Sequence, residues 1–157
     1  MTIKFGKDFS KRGGWWVVVQ FALIGVIVLV LGNNQDPQLA LRVIGWVAVA
    51  VALVLGGSGL WMIRAKLTAM PAPVDGAVLL EKGPYAFVRH PIYSAAILGF
   101  IGLSAKGGNL GALLLSLFLI PFFYAKTRYE ERLLVARFPG YDAYAERVPY
   151  RVLPWIL

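Results

Sequence analysis

Uncharged apolar runs divide the chain. Residues 15–32 (WWVVVQFALIGVIVLVLG) carry no charge, and neither do residues 43–63. A helix that crosses a bilayer needs about 20 consecutive, mostly apolar residues, so each run predicts a membrane helix. Trp15 and Trp16 mark one end of the first run, the place of an aromatic belt. Lys4, Lys7, Lys11 and Arg12 precede it, as in a signal peptide. The run is long for such a segment, however, and Asn33-Asn34-Gln35-Asp36-Pro37 has no small-residue cleavage pattern. It reads as a retained helix. In the second run Ala48, Ala52 and Gly56 recur every fourth residue, a spacing that lets two helix backbones approach closely.

Residues 64–89 break the pattern with Arg64, Lys66, Asp75, Glu81, Lys82 and Arg89, and with Pro71, Pro73 and Pro84. Irregular polar backbone does not face lipid, so this is a connector outside the bilayer, extended near its prolines. Two further apolar runs follow, 91–105 and 107–125. Only Lys106 separates them, and Gly107-Gly108-Asn109 supplies turn chemistry. They predict a tight helical hairpin. Its first arm is short for a full span, tilted or incompletely crossing, and carries a second small pair, Ala95 and Gly99. Pro121 predicts a kink in the second arm. Residues 126–138 continue as a charged helix with an apolar stripe of Leu133, Leu134 and Phe138, which Pro139-Gly140 should end. The aromatic, basic remainder is expected at the membrane surface. The fold predicted is all-α: a polytopic membrane helix bundle with about four transmembrane segments, a C-terminal helical hairpin and a cytoplasmic pocket. A single domain, 1–157, divides into two N-terminal membrane helices (1–63) and a connector, hairpin and C-terminal region (64–157). No internal repeat interrupts it.

Composition agrees: 59% of the 157 residues are hydrophobic and 15% charged, with no cysteine, against about 45–50% and 25% in soluble domains. Disulfide scaffolds, thiolate metal sites and cysteine nucleophiles are excluded. The net charge of +8 comes from 16 basic and 8 acidic residues. With four crossings, 14 of those 16 (all but Arg42 and Lys106) fall on the side that holds both termini. The positive-inside rule then places both termini in the cytoplasm, and a bacterial inner membrane is the expected location. No recognition motif accompanies the charge, so nucleic acid is not an expected partner.

The polar residues of interest form two clusters that flank the hairpin, and a tight hairpin brings them together. One is residues 81–93, with Arg89, the lone histidine His90, Pro91, Ile92 and Tyr93 at the start of an apolar helix. Pro91 suits a first helical turn. The N–H groups of that turn, the helix dipole and Arg89 favour an anion there. The competing reading is an interfacial helix start with Arg89 snorkelling and Tyr93 in an aromatic belt. One histidine without cysteine is no basis for a metal site. The other cluster is residues 126–132, with Lys126, Arg128, Glu130 and Glu131. Adjacent helical carboxylates diverge by about 100°, so only one of Glu130 and Glu131 is expected to face the hairpin. A solvated charged face, with both paired to neighbouring cations, is the competing reading.

The string GPYAFVRHPIYSAAIL and the later block EERLLVARFPGYDAYAERVPYRVLP resemble the two signatures of the isoprenylcysteine carboxyl methyltransferase and phospholipid methyltransferase superfamily. The likeness spans roughly residues 78–154, in the right order around the hairpin. It implies an integral-membrane methyltransferase that uses S-adenosyl-L-methionine and methylates a lipid-like acceptor, an isoprenylcysteine-like carboxylate or a phospholipid amine. By motif position, Tyr85 and the His90-Pro91-Ile92-Tyr93 turn would contact the cofactor; by charge, Arg89, His90 and the helix N–H groups suit its carboxylate. Backbone at Leu79 and Leu80 would approach the adenosine. Glu130 aligns best with the acidic contact, with Glu131 as the neighbouring candidate. The family's substrate-binding arginine falls near Lys126 or Arg128. The motifs report the cofactor and not the acceptor. Two other readings remain: an NADPH-dependent membrane reductase, since some much longer sterol reductases end similarly, although a dinucleotide glycine fingerprint is missing; and a non-enzymatic membrane scaffold.

Overall fold

A computed structural model describes residues 9–10, 12–33, 35–64, 71–72, 76 and 78–154. Lys4, Lys7, Lys11, Lys66, Pro73 and Asp75 lie outside the described residues, and so does Asn34. Among those described there are five α-helices and no strand: α1 Gly14–Leu31, α2 Leu39–Ile63, α3 Pro91–Lys106, α4 Leu110–Arg137 and α5 Tyr141–Arg147. A 3-10 turn, Gly83–Ala86, lies in the connector. Helices α1, α2 and α4 are long and apolar enough to cross a membrane, with mean hydropathies of 2.5, 2.3 and 1.7. At 16 residues, α3 is about 24 Å long at 1.5 Å per residue, short of a ~30 Å hydrocarbon core. Three helices therefore meet the span criterion, and the fourth apolar segment is the short one. Helix α4 runs unbroken through Pro121 and carries the charged segment with it, ending at Arg137, with Phe138 extended before Pro139-Gly140.

Two helix connections meet at one end of the bundle. Asn109 caps α4 by accepting from the Ala112 N–H at 2.9 Å. Its amide donates to the carbonyls of Val30 and Asn33, each at 2.8 Å, which satisfies carbonyls at the close of α1. The Gln35 N–H donates to the Gly107 carbonyl at 2.8 Å. Arg42 and Lys106 lie at this end, Lys106 with its ammonium 4.6 Å from the Trp46 ring centre. The connector, the start of α3 and the charged half of α4 gather at the other end.

The most extensive helix pairing is α2 on α3, and small residues make it possible. Gly45, Ala52, Gly56 and Gly59 are the buried residues of α2. A Cβ on Gly45 would lie 2.5 Å from the Lys106 backbone nitrogen and 2.6 Å from the Gly102 carbonyl oxygen. Ala52 faces Gly99, and Gly56 faces Ala95. The small residues expected from spacing alone thus meet across one interface. On the outer sides of α1 and α2 large apolar residues are bare; Leu29, Leu53 and Val54 are 79%, 71% and 73% exposed. So much exposed apolar surface suits lipid rather than water. Inside, Ile27, Ile97, Leu119, Phe122, Phe123 and Val152 join α1, α3, α4 and the tail in one core. The buried hydroxyls of Ser104 and Ser116 bond across α3 and α4 at 3.1 Å.

The α2–α3 contact makes a stability prediction. Gly45→Ala should destabilise the detergent-solubilised protein by about 1–3 kcal/mol, because the added methyl meets backbone that cannot move aside. Gly25→Ala on α1, where a Cβ meets nothing within 4 Å, should be neutral or slightly stabilising. Thermal unfolding of the two variants side by side checks this.

Candidate active site

The site is built on one buried carboxylate. Glu131, on α4 and 7% exposed, faces the residues that open α3. Its Oε1 accepts from Arg89 Nε at 2.8 Å and lies 3.2 Å from His90 Nε2. Its Oε2 accepts from Arg151 Nε at 2.8 Å and from Arg89 Nη2 at 3.4 Å. Arg89 itself is 8% exposed and spends its remaining donor on the carbonyls of Val148 and Ala145. It does not snorkel to an interface. Its aliphatic stem and its head are enclosed together, because a paired and hydrogen-bonded guanidinium can be buried where a lone one cannot. The tail also adds backbone bonds: the N–H groups of Arg89 and His90 donate to Tyr150 and Arg151 carbonyls at 3.0 and 2.9 Å. The Ser94 hydroxyl donates to the Val152 carbonyl. Arg151 loses by burial and gains by pairing with Glu131, and the pairing prevails, so its pKa is raised.

Glu130 makes a different contact. Tyr93 donates its hydroxyl to Glu130 Oε2 at 2.9 Å. Both carboxylates therefore meet the start of α3, contrary to the expectation that one would turn away. His90 and Tyr93 stand on that helix start as two stacked rings, 5.6 Å between centres, and together are broad enough to receive both. On its other face Tyr93 stacks on Phe123 at 4.6 Å. Lys126, 1% exposed, places its ammonium 4.8 Å from the centre of the Tyr93 ring and donates to the Gln20 side chain of α1. Tyr85 completes the surroundings: burial first, then the Glu130 charge, push its pKa up to about 12, which keeps the phenol neutral.

Helix α5 and the tail close the site. Tyr141, Tyr144 and Val148 form a buried cluster packed by Leu79, Leu134, Phe138 and Ala145. Tyr144 donates its hydroxyl to the Tyr85 carbonyl at 2.7 Å. The aromatic tail expected at the membrane surface thus turns inward at Tyr141 and Tyr144, each 2% exposed. Trp155, Ile156 and Leu157 lie outside the described residues.

Of the residues singled out from sequence, Tyr85, Arg89, His90, Tyr93, Lys126, Glu130 and Glu131 come together. Leu79 joins through the α5 cluster, and Leu80 follows it in the connector, half-buried. Pro91 and Ile92 lie against Gly59 of α2 instead. Arg128 is exposed and separated from Lys126, which points inward. Sequence reasoning gave no role to Gln20, Tyr141, Tyr144 or Arg151. Gln20 had a signal, as the single polar side chain in the run 15–32; polar groups inside a membrane segment are functional candidates by default. Arg151 had none, because its partner lies 20 residues away on another element. An apolar groove of about 190 Å³ between α2 and α3, lined by Ala52, Leu53, Ala96 and Phe100 among others, shares no residue with this cluster.

Known proteins are similar to this chain in sequence. The chain is 31% identical over 143 residues to the nickel-cobalt-cadmium resistance protein NccN of Alcaligenes xylosoxydans xylosoxydans, and 30% identical over 143 residues to the cobalt-zinc-cadmium resistance protein CzcN of Cupriavidus metallidurans. Each match takes in 88% of this chain and 62% of the relative, so the chain spans less than two thirds of those proteins. It is 38% identical over 74 residues to the protein-S-isoprenylcysteine O-methyltransferase of Schizosaccharomyces pombe, covering 46% of this chain and 31% of that one. The family model for phospholipid methyltransferases matches residues 37–140. That match takes in more than half of the chain, from α2 through the α4 carboxylates to the turn before α5, and the protein belongs to the phospholipid methyltransferase family.

Proposed function

We propose that this protein is a membrane methyltransferase that takes its methyl group from S-adenosylmethionine and passes it to a lipid-like or amphiphilic acceptor. The observation that carries the reading is the group at the start of α3: Glu130 holding the Tyr93 hydroxyl, with the Lys126 ammonium against the same ring. The donor set fits the cofactor. A carboxylate suits an ammonium or ribose hydroxyls, and the face of Tyr85 suits an adenine or a sulfonium. When bound, S-adenosylmethionine supplies an activated methyl group for in-line displacement by a nucleophilic acceptor atom. The protein's part in such a reaction is positioning and exclusion of water.

Division of labour among the charges follows from their partners. The Arg89 and His90 side chains are engaged with Glu131, so these three hold the site together. Glu130, Tyr85 and Tyr93 take the cofactor. Lys126, steadied by Gln20, meets a polar group of the acceptor, and exposed Arg128 does not. The helix connections with Arg42 and Lys106 lie opposite the basic site, which supports a cytoplasmic site and cytoplasmic termini; the membrane we assign is a bacterial inner membrane.

Methyl transfer and four substitutions test this. Purified protein given S-adenosylmethionine labelled in the methyl group should transfer label into a membrane lipid extract, and the labelled product identifies the acceptor. No transfer, with saturable binding of NADPH instead, would sink the reading. Glu131→Gln should cost about 3–5 kcal/mol of stability, because Arg89 loses the carboxylate it is buried against. Glu130→Gln should leave thermal unfolding nearly unchanged and weaken S-adenosylmethionine binding roughly tenfold, as expected for a lost contact to a charged group. Lys126→Ala should raise KM or lower kcat for the acceptor with cofactor affinity little altered, and Arg128→Ala should change neither. Loss of cofactor affinity alone in Lys126→Ala would reassign that residue.

A further inference from the structure

Tyr141 holds a group that the protein does not use for itself. The residue is 2% exposed, and its hydroxyl has no hydrogen-bond partner among the described residues. A buried hydroxyl without a partner is unfavourable, whereas an apolar group of the same shape is not. The rest of the side chain sits as a phenylalanine would, edge-on to Tyr144 at 5.7 Å and packed with Leu79, Leu134 and Phe138. Packing therefore explains the ring and leaves the oxygen unexplained. Tyr144, three residues on in the same helix, shows the ordinary case, with its hydroxyl donated to the Tyr85 carbonyl.

The neighbouring polar groups do not supply the missing partner. The Glu131 oxygens are taken by Arg89, His90 and Arg151, and Arg89 is divided between Glu131 and two carbonyls. Yet Tyr141 packs with Ala145 and Val148, whose carbonyls accept from Arg89, so it adjoins the Arg89–Glu131 pair of the site. Burial foremost, then the Glu131 charge, raises its pKa. It stays neutral, able both to donate and to accept.

We propose that the Tyr141 hydroxyl is a ligand contact: it completes its bonding with a hydroxyl or ammonium group of the bound methyl donor, the kinds of group that two nearby carboxylates favour. This rests on the S-adenosylmethionine reading above. It assigns a cofactor contact to α5, none of whose residues was given a cofactor role by the resemblance.

The test pairs the two tyrosines. S-adenosylmethionine is titrated calorimetrically into detergent-solubilised wild type, Tyr141→Phe and Tyr144→Phe, and thermal unfolding of each is recorded without ligand. For Tyr141→Phe, Kd should rise about fivefold to tenfold, the usual worth of one hydrogen bond, with the ligand-free Tm unchanged or higher. For Tyr144→Phe the ligand-free Tm should fall, since the Tyr85 carbonyl loses its donor. Wild-type affinity in Tyr141→Phe would overturn the inference while leaving the cofactor reading intact. A ligand-free Tm lowered as far as in Tyr144→Phe would assign the hydroxyl a structural role and overturn it as well. Absence of saturable binding by the wild type would overturn the cofactor reading and this contact with it.

Discussion

The arrangement depends on burying Glu131 between two arginines. One carboxylate on α4 gathers Arg89 from the start of α3 and Arg151 from the tail, elements that are otherwise joined by long stretches of chain. Each charge is costly to bury alone and tolerable in company. The carboxylate therefore ties α3, α4 and the tail together in a placement that leaves all three groups paired. The tail then lies along residues 89–90 with backbone hydrogen bonds, and α5 is carried over the site.

That constraint separates structure from chemistry in adjacent residues. Glu131 is consumed by the fold. Glu130, one position back along the helix, meets a tyrosine hydroxyl instead. Lys126, one turn earlier, is held by a neutral amide and an aromatic face, partners that orient a cation without neutralising it. Close packing elsewhere serves the same placement. Small residues along α2 and α3 let α3 sit against its neighbour, so a helix too short to span comfortably still presents His90 and Tyr93 at a fixed height.

Much of this was legible in the chain. Long apolar runs predict helices because lipid leaves backbone groups no other partner, and α1, α2 and α4 follow those runs. The turn at Gly107-Gly108-Asn109 implied that the two polar clusters meet, and they do. The role of Asn109 in joining α1 to α4 was not legible, since it depends on carbonyls 79 and 76 residues away. The divergence of adjacent helical residues suggested that one of Glu130 and Glu131 would turn away. It misled because the surface opposite, two stacked rings at a helix start, is wider than one side chain.

What the sequence alone determined is what local physics and composition control: an all-α membrane chain, its hairpin, the small-residue faces and the residues that approach one another at one end. Membership of the phospholipid methyltransferase family is carried by strings within that part. What only the tertiary structure decided is which charge meets which. Arg151, Gln20 and Tyr141 enter the site from the tail, α1 and α5, and nothing in their own sequence neighbourhoods marks the partner. Ion pairing and burial act across space, so the same acidic pair reads alike in sequence while its two members serve the fold and the site separately.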